Sequence, residues 1–390
     1  MKIGLLWHSL ASGNLGVDAL TVSNIAIIRQ ELEKLGLDAH LTVIGMRDNH
    51  DDSTLPTENT NVFVVDGRSI ISPRGYWSLL ASLDAIIDIG AGDSFAQIYG
   101  PKRFAYLWAT KALAYARKVP LVLAPQTIGP FTGTIYRKLA KIVMDRARCV
   151  VARDLQSFDV AREIAPGARV VLATDVAFEL PFTRAPTTND SKAVRIGLNA
   201  SGLLYRQAES GENRFGLSYN YAGFIHALLE TFATDHSVQI ELIAHATSRT
   251  DPGDDDGALA DRLAAMYPFA RRIPDFSGAE AAKSHISGLD VLVAGRMHAC
   301  IAAFSAGVPV VPTAYSRKFS GLFGSLGYDC ILPETGYSVD EALQFVLAHI
   351  QERERLKAQI ATARTNVDAR LQTYRCELQK LLTSVSNARR

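Results

Sequence analysis

Along the chain, short runs of consecutive apolar residues alternate with longer stretches whose apolar positions recur every three or four residues. The short runs in the first half are Ile3 to Trp7, Ala39 to Ile44, Val62 to Val65, Ala85 to Ile89, Leu121 to Ala124, Cys149 to Ala152 and Val170 to Leu172. A continuous apolar run of this length, bounded by turn residues, suits a strand buried on both faces. The helical period covers Ala19 to Leu35, Arg103 to Arg117, Ile135 to Arg146 and Leu155 to Glu163. Gly36 stands just past the first of these, where a left-handed helix cap is expected. Strands alternating with helices predict a parallel sheet covered on both faces.

The pattern breaks between Pro181 and Ala193, a polar stretch with two prolines that reads as a linker. It resumes with strands at Val194 to Leu198, Val238 to Ala244, Val291 to Val293 and Val308 to Val311. The helices expected among them are Tyr221 to Thr234, Ala279 to Ser287 and Ala299 to Ala306. The expected organisation is an N-terminal α/β domain over 1–182, a linker over 183–193, a C-terminal α/β domain over 194–335, and surface helices over 336–390. The acidic run Asp254 to Asp256 is too short to read as more than a solvated loop. There is no fixed-period repeat.

Composition narrows the function. A chain of 390 residues is long for one core, which agrees with two domains. The formal net charge is +1, without the basic excess a general nucleic-acid binder needs, so no nucleic-acid partner is expected. Cys149, Cys300, Cys330 and Cys376 have no CxxC pairing and read as reduced thiols. The first residues, MKIGLLWHSLASGN, have too short an apolar run for a signal peptide, and no stretch reaches the ~18 apolar residues of a membrane span. A cytoplasmic protein is expected.

In open parallel sheets, ligands sit outside the carboxyl ends of the strands, so the loops after strands are where chemistry is sought. The first carries Ser12-Gly13-Asn14-Leu15-Gly16 before a helix; it lacks the GxGxxG spacing and reads either as a ligand loop or as a tight turn. Gly90-Ala91-Gly92-Asp93-Ser94 has the same form, with Asp93 or Ser94 as alternative helix caps. Pro125 to Pro130, which includes Gln126, is a third. The loop after Val293 is sharper. Arg296 there can grip a carboxylate or phosphate bidentately, and His298 can move a proton near neutral pH, although a structural salt bridge and a capping histidine are the competing reading. Arg153 and Lys318 lie at the same strand ends, so four basic groups define a pocket for a small, multiply charged anion. The remaining histidines show no metal-ligand spacing, and no metal or other cofactor is expected.

The stretches GNLGVDAL, DIGAGDSF, PQTIGP, CVVARDLQSFDVA, DVLVAGRMHACIAAFSAGVPVV and AYSRK, in that order over roughly residues 1 to 330, resemble the polysaccharide pyruvyl transferase family. The resemblance implies an α/β fold of two Rossmann-like domains facing across a cleft, similar to GT-B glycosyltransferases, here with C-terminal helices. It also implies transfer of the pyruvyl group of phosphoenolpyruvate to a sugar or glycan acceptor as a ketal, with phosphate release and no cofactor. The C-terminal domain would be the donor side and the N-terminal domain the acceptor side.

The family's Arg-x-His pair falls on Arg296 and His298, its arginine before an aspartate on Arg153, and its lysine after the last strand on Lys318. Arg153, Arg296 and Lys318 would then bind phosphoenolpyruvate, with His298 as general acid. Ser12, Gly13, Asn14, Gly16, Gly92, Asp93 and Gln126 would face the acceptor. A lipid-linked acceptor would place the protein at the membrane surface. The chain departs from the family pattern at Val17, where an acidic residue is common, at Ala91, where a glycine is common, and at Ser316-Arg317, where Asp-Pro is common. Two other functions fit the same fold: a glycosyltransferase using a nucleotide sugar, and a non-catalytic glycan-binding relative.

Overall fold

The computed structural model describes residues 1–10, 12–46, 59–186, 193–247, 252–316 and 318–389. The middle of the expected linker and Arg317 lie outside these. The chain forms two compact units. The first comprises Met1–Ser12, Leu20–Glu179 and Val367–Arg390, and the second comprises Gly13–Ala19 and Leu180–Asn366. Gly13–Ala19 therefore belongs with the second unit although it comes early in the chain.

The first half of the chain runs β1 (Lys2–Leu6), α1 (Leu15–Lys34), β2 (His40–Gly45), β3 (Thr60–Val64), α2 (Gly67–Ile71), α3 (Tyr76–Leu80) and β4 (Ala85–Asp88). It continues with α4 (Gly100–Ala116), β5 (Leu121–Gln126), α5 (Thr134–Arg146), β6 (Cys149–Ala152), α6 (Leu155–Ile164) and β7 (Val170–Leu172). The seven strands form one parallel sheet in the order β3-β2-β1-β4-β5-β6-β7. β4, β5 and β6 are buried at every position, as their unbroken apolar runs predict.

The second half runs β8 (Val194–Asn199), α7 (Gly202–Ser210), α8 (Tyr221–Phe232), β9 (Val238–Leu242), α9 (Asp256–Met266), β10 (Arg271–Arg272) and α10 (Ala279–Ile286). Then come β11 (Val291–Ala294), α11 (Met297–Ala306), β12 (Val310–Pro312), α12 (Lys318–Phe323), α13 (Val339–Gln351) and α14 (Arg353–Arg389). Its five strands are parallel in the order β10-β9-β8-β11-β12. Both sheets reverse their strand order beside their first strand, between β1 and β4 and between β8 and β11. Such switch points open a crevice at the carboxyl ends, where ligands bind.

Three expectations change. No helix is expected over α7 or α9, yet both form, and the acidic run is the start of α9. Asp255 is its N-cap, accepting hydrogen bonds from Gly257 N and Ala258 N, and Asp256 is 1% exposed rather than solvated. α1 and α11 begin earlier than their apolar period; Asn14, just before α1, accepts Gly16 N at 2.9 Å, whereas α11 starts without a side-chain cap. The expected surface helices at the C-terminus include α14, a 37-residue helix with a buried face. Leu356, Ile360, Ala363, Val367, Leu371, Tyr374, Leu378, Leu381 and Val385 recur every three or four residues and are all buried. Within the first unit this helix is also tied by polar groups, with Arg375 bridging Glu31 and Glu179 at 2.7 Å each.

Candidate functional site

In the second unit the switch point is built around Asp256. Its carboxylate accepts from Arg296 Nε at 3.0 Å and Nη2 at 2.7 Å. It also accepts from Gly202 N at 3.0 Å, Asn199 Nδ2 at 3.0 Å, His245 N at 3.2 Å and Ala246 N at 3.1 Å. One aspartate thus fixes the loops after β8, β9 and β11 together. Burial alone would push its carboxyl up, but Arg296 and these N–H donors outweigh that and hold it below the ordinary carboxylate value.

Arg296 is fixed from both ends. Its backbone N donates to Asn199 Oδ1 at 3.1 Å, and its guanidinium also reaches Asp254 Oδ1 at 2.5 Å through Nη2. The salt-bridge reading of this arginine is therefore correct as far as Nε and Nη2 go. Among the described residues Nη1 makes no hydrogen bond. With Asp254 and Asp256 counted, the cluster carries one net negative charge.

His298 lies in the first turn of α11, directly beyond Arg296, whose side chain does not cap that helix. The rest of the helix, Ala299 to Ala306, is wholly buried and mostly small, which lets it seat closely behind the strand end. The Gly13–Ala19 segment packs against His298. A β-carbon on Gly16 would come 2.4 Å from His298 Nδ1, so only glycine allows this approach. The segment is held by Leu15 N to His245 O at 3.2 Å and Thr247 N to Gly13 O at 2.9 Å, while Asn14 Oδ1 accepts Gly16 N at 2.9 Å. His245 itself is buried, which, with His298 and Arg296 nearby, pushes its pKa down to about 3 and keeps it neutral. Lys318 opens α12 and is half-buried. Tyr315, just before it, stacks edge-on against Phe215 and Phe319 and lies in the field of Arg296.

In the first unit, Arg153 follows β6 and is 4% exposed. Its Nη1 donates to Asp175 Oδ2 at 2.9 Å, and Asp154 stands 4.0 Å from its Nε. Burial disfavours its charge, yet Asp175, Asp93 and Asp154 more than offset this and raise its pKa. Asp93 accepts from Tyr99 Oη at 2.6 Å and Ser94 Oγ accepts from Arg103 Nε at 2.9 Å. Neither caps a helix, because α4 begins only at Gly100.

Beneath this loop lies an ion pair with both side chains fully buried, Lys111 Nζ to Asp88 Oδ2 at 3.0 Å. Asp88 Oδ1 accepts Gly90 N at 3.1 Å, and Gln126 Nε2 donates to Asp88 O at 2.8 Å. Gln126 is 0% exposed and braces the loop from below, which corrects its expected place against an acceptor. Gly92 and Asp93 lie on the loop above, and Ser12 ends the first segment of this unit.

Asp256, Asn199, Asp88 and Lys111 escaped sequence reasoning. Each is a polar residue whose partners come from distant parts of the chain. The one available hint was the polar end of otherwise apolar strands, Asn199 closing β8 and Asp88 closing β4. Among the described residues, no group of three or more His, Cys, Asp or Glu side chains is arranged to hold a metal ion.

A family model for polysaccharide pyruvyl transferase matches residues 14–317. Solved structures add a likeness of fold. HepE from Anabaena in complex with UDP is 12% identical, with 98% of this chain and 100% of that chain covered and a TM-score of 0.60. UDP-GlcNAc 2-epimerase from Neisseria meningitidis bound to UDP-GlcNAc is 11% identical, covering 95% and 100%, with a TM-score of 0.55. MurG from Acinetobacter baumannii is 13% identical, covering 97% and 99%, with a TM-score of 0.53. The fold is that of GT-B glycosyltransferases and epimerases, with parallel sheets in two units and C-terminal helices.

Proposed function

The chain belongs to the polysaccharide pyruvyl transferase family, and from that premise we propose that it moves the pyruvyl group of phosphoenolpyruvate onto a sugar of a glycan. The observation that carries this reading is the Arg296-x-His298 pair. It presents one guanidinium edge and one imidazole at a switch point, with the arginine held rigid by Asp256. Preorganised groups of this kind lower a barrier because they need no rearrangement during reaction.

Phosphoenolpyruvate carries a carboxylate and a phosphate. Arg296 Nη1 and Lys318 are proposed to bind them, and Arg153 is the first unit's candidate for a substrate anion. His298 gives a proton to the methylene carbon C3, leaving an oxocarbenium-like C2. One sugar hydroxyl adds to C2 and loses its proton. A second hydroxyl then closes the ketal as the bond from C2 to the phosphate oxygen breaks. One hydroxyl proton returns to His298 and the other leaves with phosphate, so no oxidant or reductant is needed. Ser12, Gly13, Asn14, Gly16, Gly92 and Asp93 remain the proposed acceptor-facing positions, while buried Gln126 acts by bracing.

Work in the cytoplasm is proposed because all four cysteines are free thiols. No helix among the described residues is long and apolar enough to cross a membrane, and a lipid-linked acceptor would make the association peripheral.

Phosphate release from phosphoenolpyruvate on addition of a glycan acceptor tests the reaction. Arg296→Ala is expected to weaken phosphoenolpyruvate binding by about 1.5–3 kcal/mol, the range for a hydrogen bond to a charged group. Unchanged binding in calorimetry would remove Arg296 from the donor site. A second reading, a nucleotide-sugar glycosyltransferase, draws on the UDP-containing structural neighbours. Thermal stabilisation by UDP-glucose but not by phosphoenolpyruvate would favour it.

A further inference from the structure

Behind the turn that carries Arg296, the second unit holds a cavity of about 240 Å³ between α7, the following loop and the start of α8. Its wall contains Gln207, Glu212, Tyr219, Asn220 and Tyr221 beside the small Ala208, and no lysine, arginine or histidine. Glu212 is paired with Arg214 Nη2 at 2.9 Å, so the lining itself offers no cation to a second anion. The volume is below the ~300–1,000 Å³ of pockets for drug-sized ligands, so it suits one ring rather than a nucleotide sugar.

The polar groups on this wall are partly uncommitted. Gln207 Oε1 accepts Arg214 N and Asn220 Oδ1 accepts Gly223 N, and among the described residues neither side-chain amide nitrogen donates. Tyr219 is 5% exposed, and its hydroxyl is buried with no hydrogen-bond partner among the described residues. An unsatisfied buried hydroxyl is unfavourable, and a ligand hydroxyl that reaches it would supply the missing partner. Tyrosine side chains, amides and a carboxylate already paired with Arg214 suit a neutral, hydroxyl-rich ring.

The cavity is also joined to the chemistry. Tyr221 Oη accepts Ser201 N at 3.1 Å, and a β-carbon on Gly295 would come 2.7 Å from that oxygen, so the cavity wall directly braces the Gly295-Arg296 turn. Phe215, from the same loop, stacks on Tyr315 at 4.9 Å.

We propose that this cavity is a subsite for a single neutral pyranose ring of the acceptor glycan. The assignment rests on the pyruvyl-transfer reading for its biological role, although sugar binding itself does not. The test uses the full chain and the methyl pyranosides of glucose, galactose, mannose and N-acetylglucosamine in saturation-transfer NMR, alongside calorimetric titration with phosphoenolpyruvate. At least one glycoside should receive saturation from the wild type. Ala208→Trp, which fills the cavity, should reduce that signal about tenfold while phosphoenolpyruvate affinity stays the same. Tyr219→Phe keeps the ring volume and should weaken the signal without lowering the melting temperature, which separates loss of a contact from misfolding.

A wild type that binds none of the four glycosides overturns the subsite. So does a signal that survives Ala208→Trp or is displaced by phosphoenolpyruvate. Phosphoenolpyruvate that fails to bind the wild type while a glycoside binds refutes the donor reading alone.

Discussion

The two sheets share a strand order around their first strand, and each has a buried aspartate paired with a cation near its switch point, yet the two pairs differ. In the first unit the deepest charges, Asp88 and Lys111, neutralise each other with no exposed surface at all, and hold up a glycine loop. In the second, Asp256 is equally buried, but its partner Arg296 is partly exposed at 11% and is followed by His298. The contrast teaches that a buried carboxylate at a switch point can hold a cation wholly inside the core or anchor one at the rim.

The sharpest way to break that contrast is His298→Ala. Turnover should fall about 10²–10⁴-fold, the usual contribution of a general acid, with an unchanged melting temperature and intact phosphoenolpyruvate binding. Turnover at the wild-type rate would reduce the second unit's strand end to scaffold as well.

Lys111→Met addresses the other side. Removing one partner leaves Asp88 charged and buried, at a cost of about 3–5 kcal/mol in urea unfolding, and Asp88→Asn in the same chain should recover much of it. Donor affinity of the folded fraction should not change. A loss of affinity at constant stability would show that the first unit's pair also serves a ligand.

Acid should weaken both units. His8 is buried and its pKa is pushed down to about 4; its ring lies 3.0 Å from Leu6 O through Nδ1 and 2.9 Å from Asn24 Nδ2 through Nε2, a pairing that needs the neutral form. The unfolded chain binds this proton near pH 6.5, so the stability is complete above that pH and is lost as pH falls toward 4. His8 contributes about 3 kcal/mol of this loss, and His245 acts the same way in the second unit. Melting curves between pH 7 and pH 4 should show the decline, and His8→Gln should flatten part of it. An equal decline in that variant would locate the effect elsewhere.

The smallest expected difference is between two helix caps. Asp154 accepts Ser157 N at 2.8 Å at the start of α6, and Asp154→Ala should cost about 1 kcal/mol. Ser201 caps α7 at 3.5 Å, a longer contact, and Ser201→Ala should cost less, about 0.5 kcal/mol. Chemical denaturation of both variants would rank them.

Much of this was legible along the chain. The parallel strands followed from unbroken apolar runs, and Arg296 and His298 stood out as basic residues at an apolar strand end. The helices α7 and α9 were hidden because several of their buried positions, Gly202, Gln207, Asp256 and Gly257, are glycine or polar, and the acidic run passed for a solvated loop. Gln126 looked like a ligand residue from its place at the end of an apolar run, while the fold makes it the last residue of β5 and turns it inward under Gly90.

The sequence by itself determined the class of fold, the family, and the strand ends at which chemistry is sought, because burial periodicity and short motifs are local properties. The tertiary structure alone decided which charges are spent on one another. Asp256 meets Arg296 across 40 positions and Asp88 meets Lys111 across 23, and no local pattern encodes such a pairing. Desolvation makes each buried charge depend on the partner that folding brings to it.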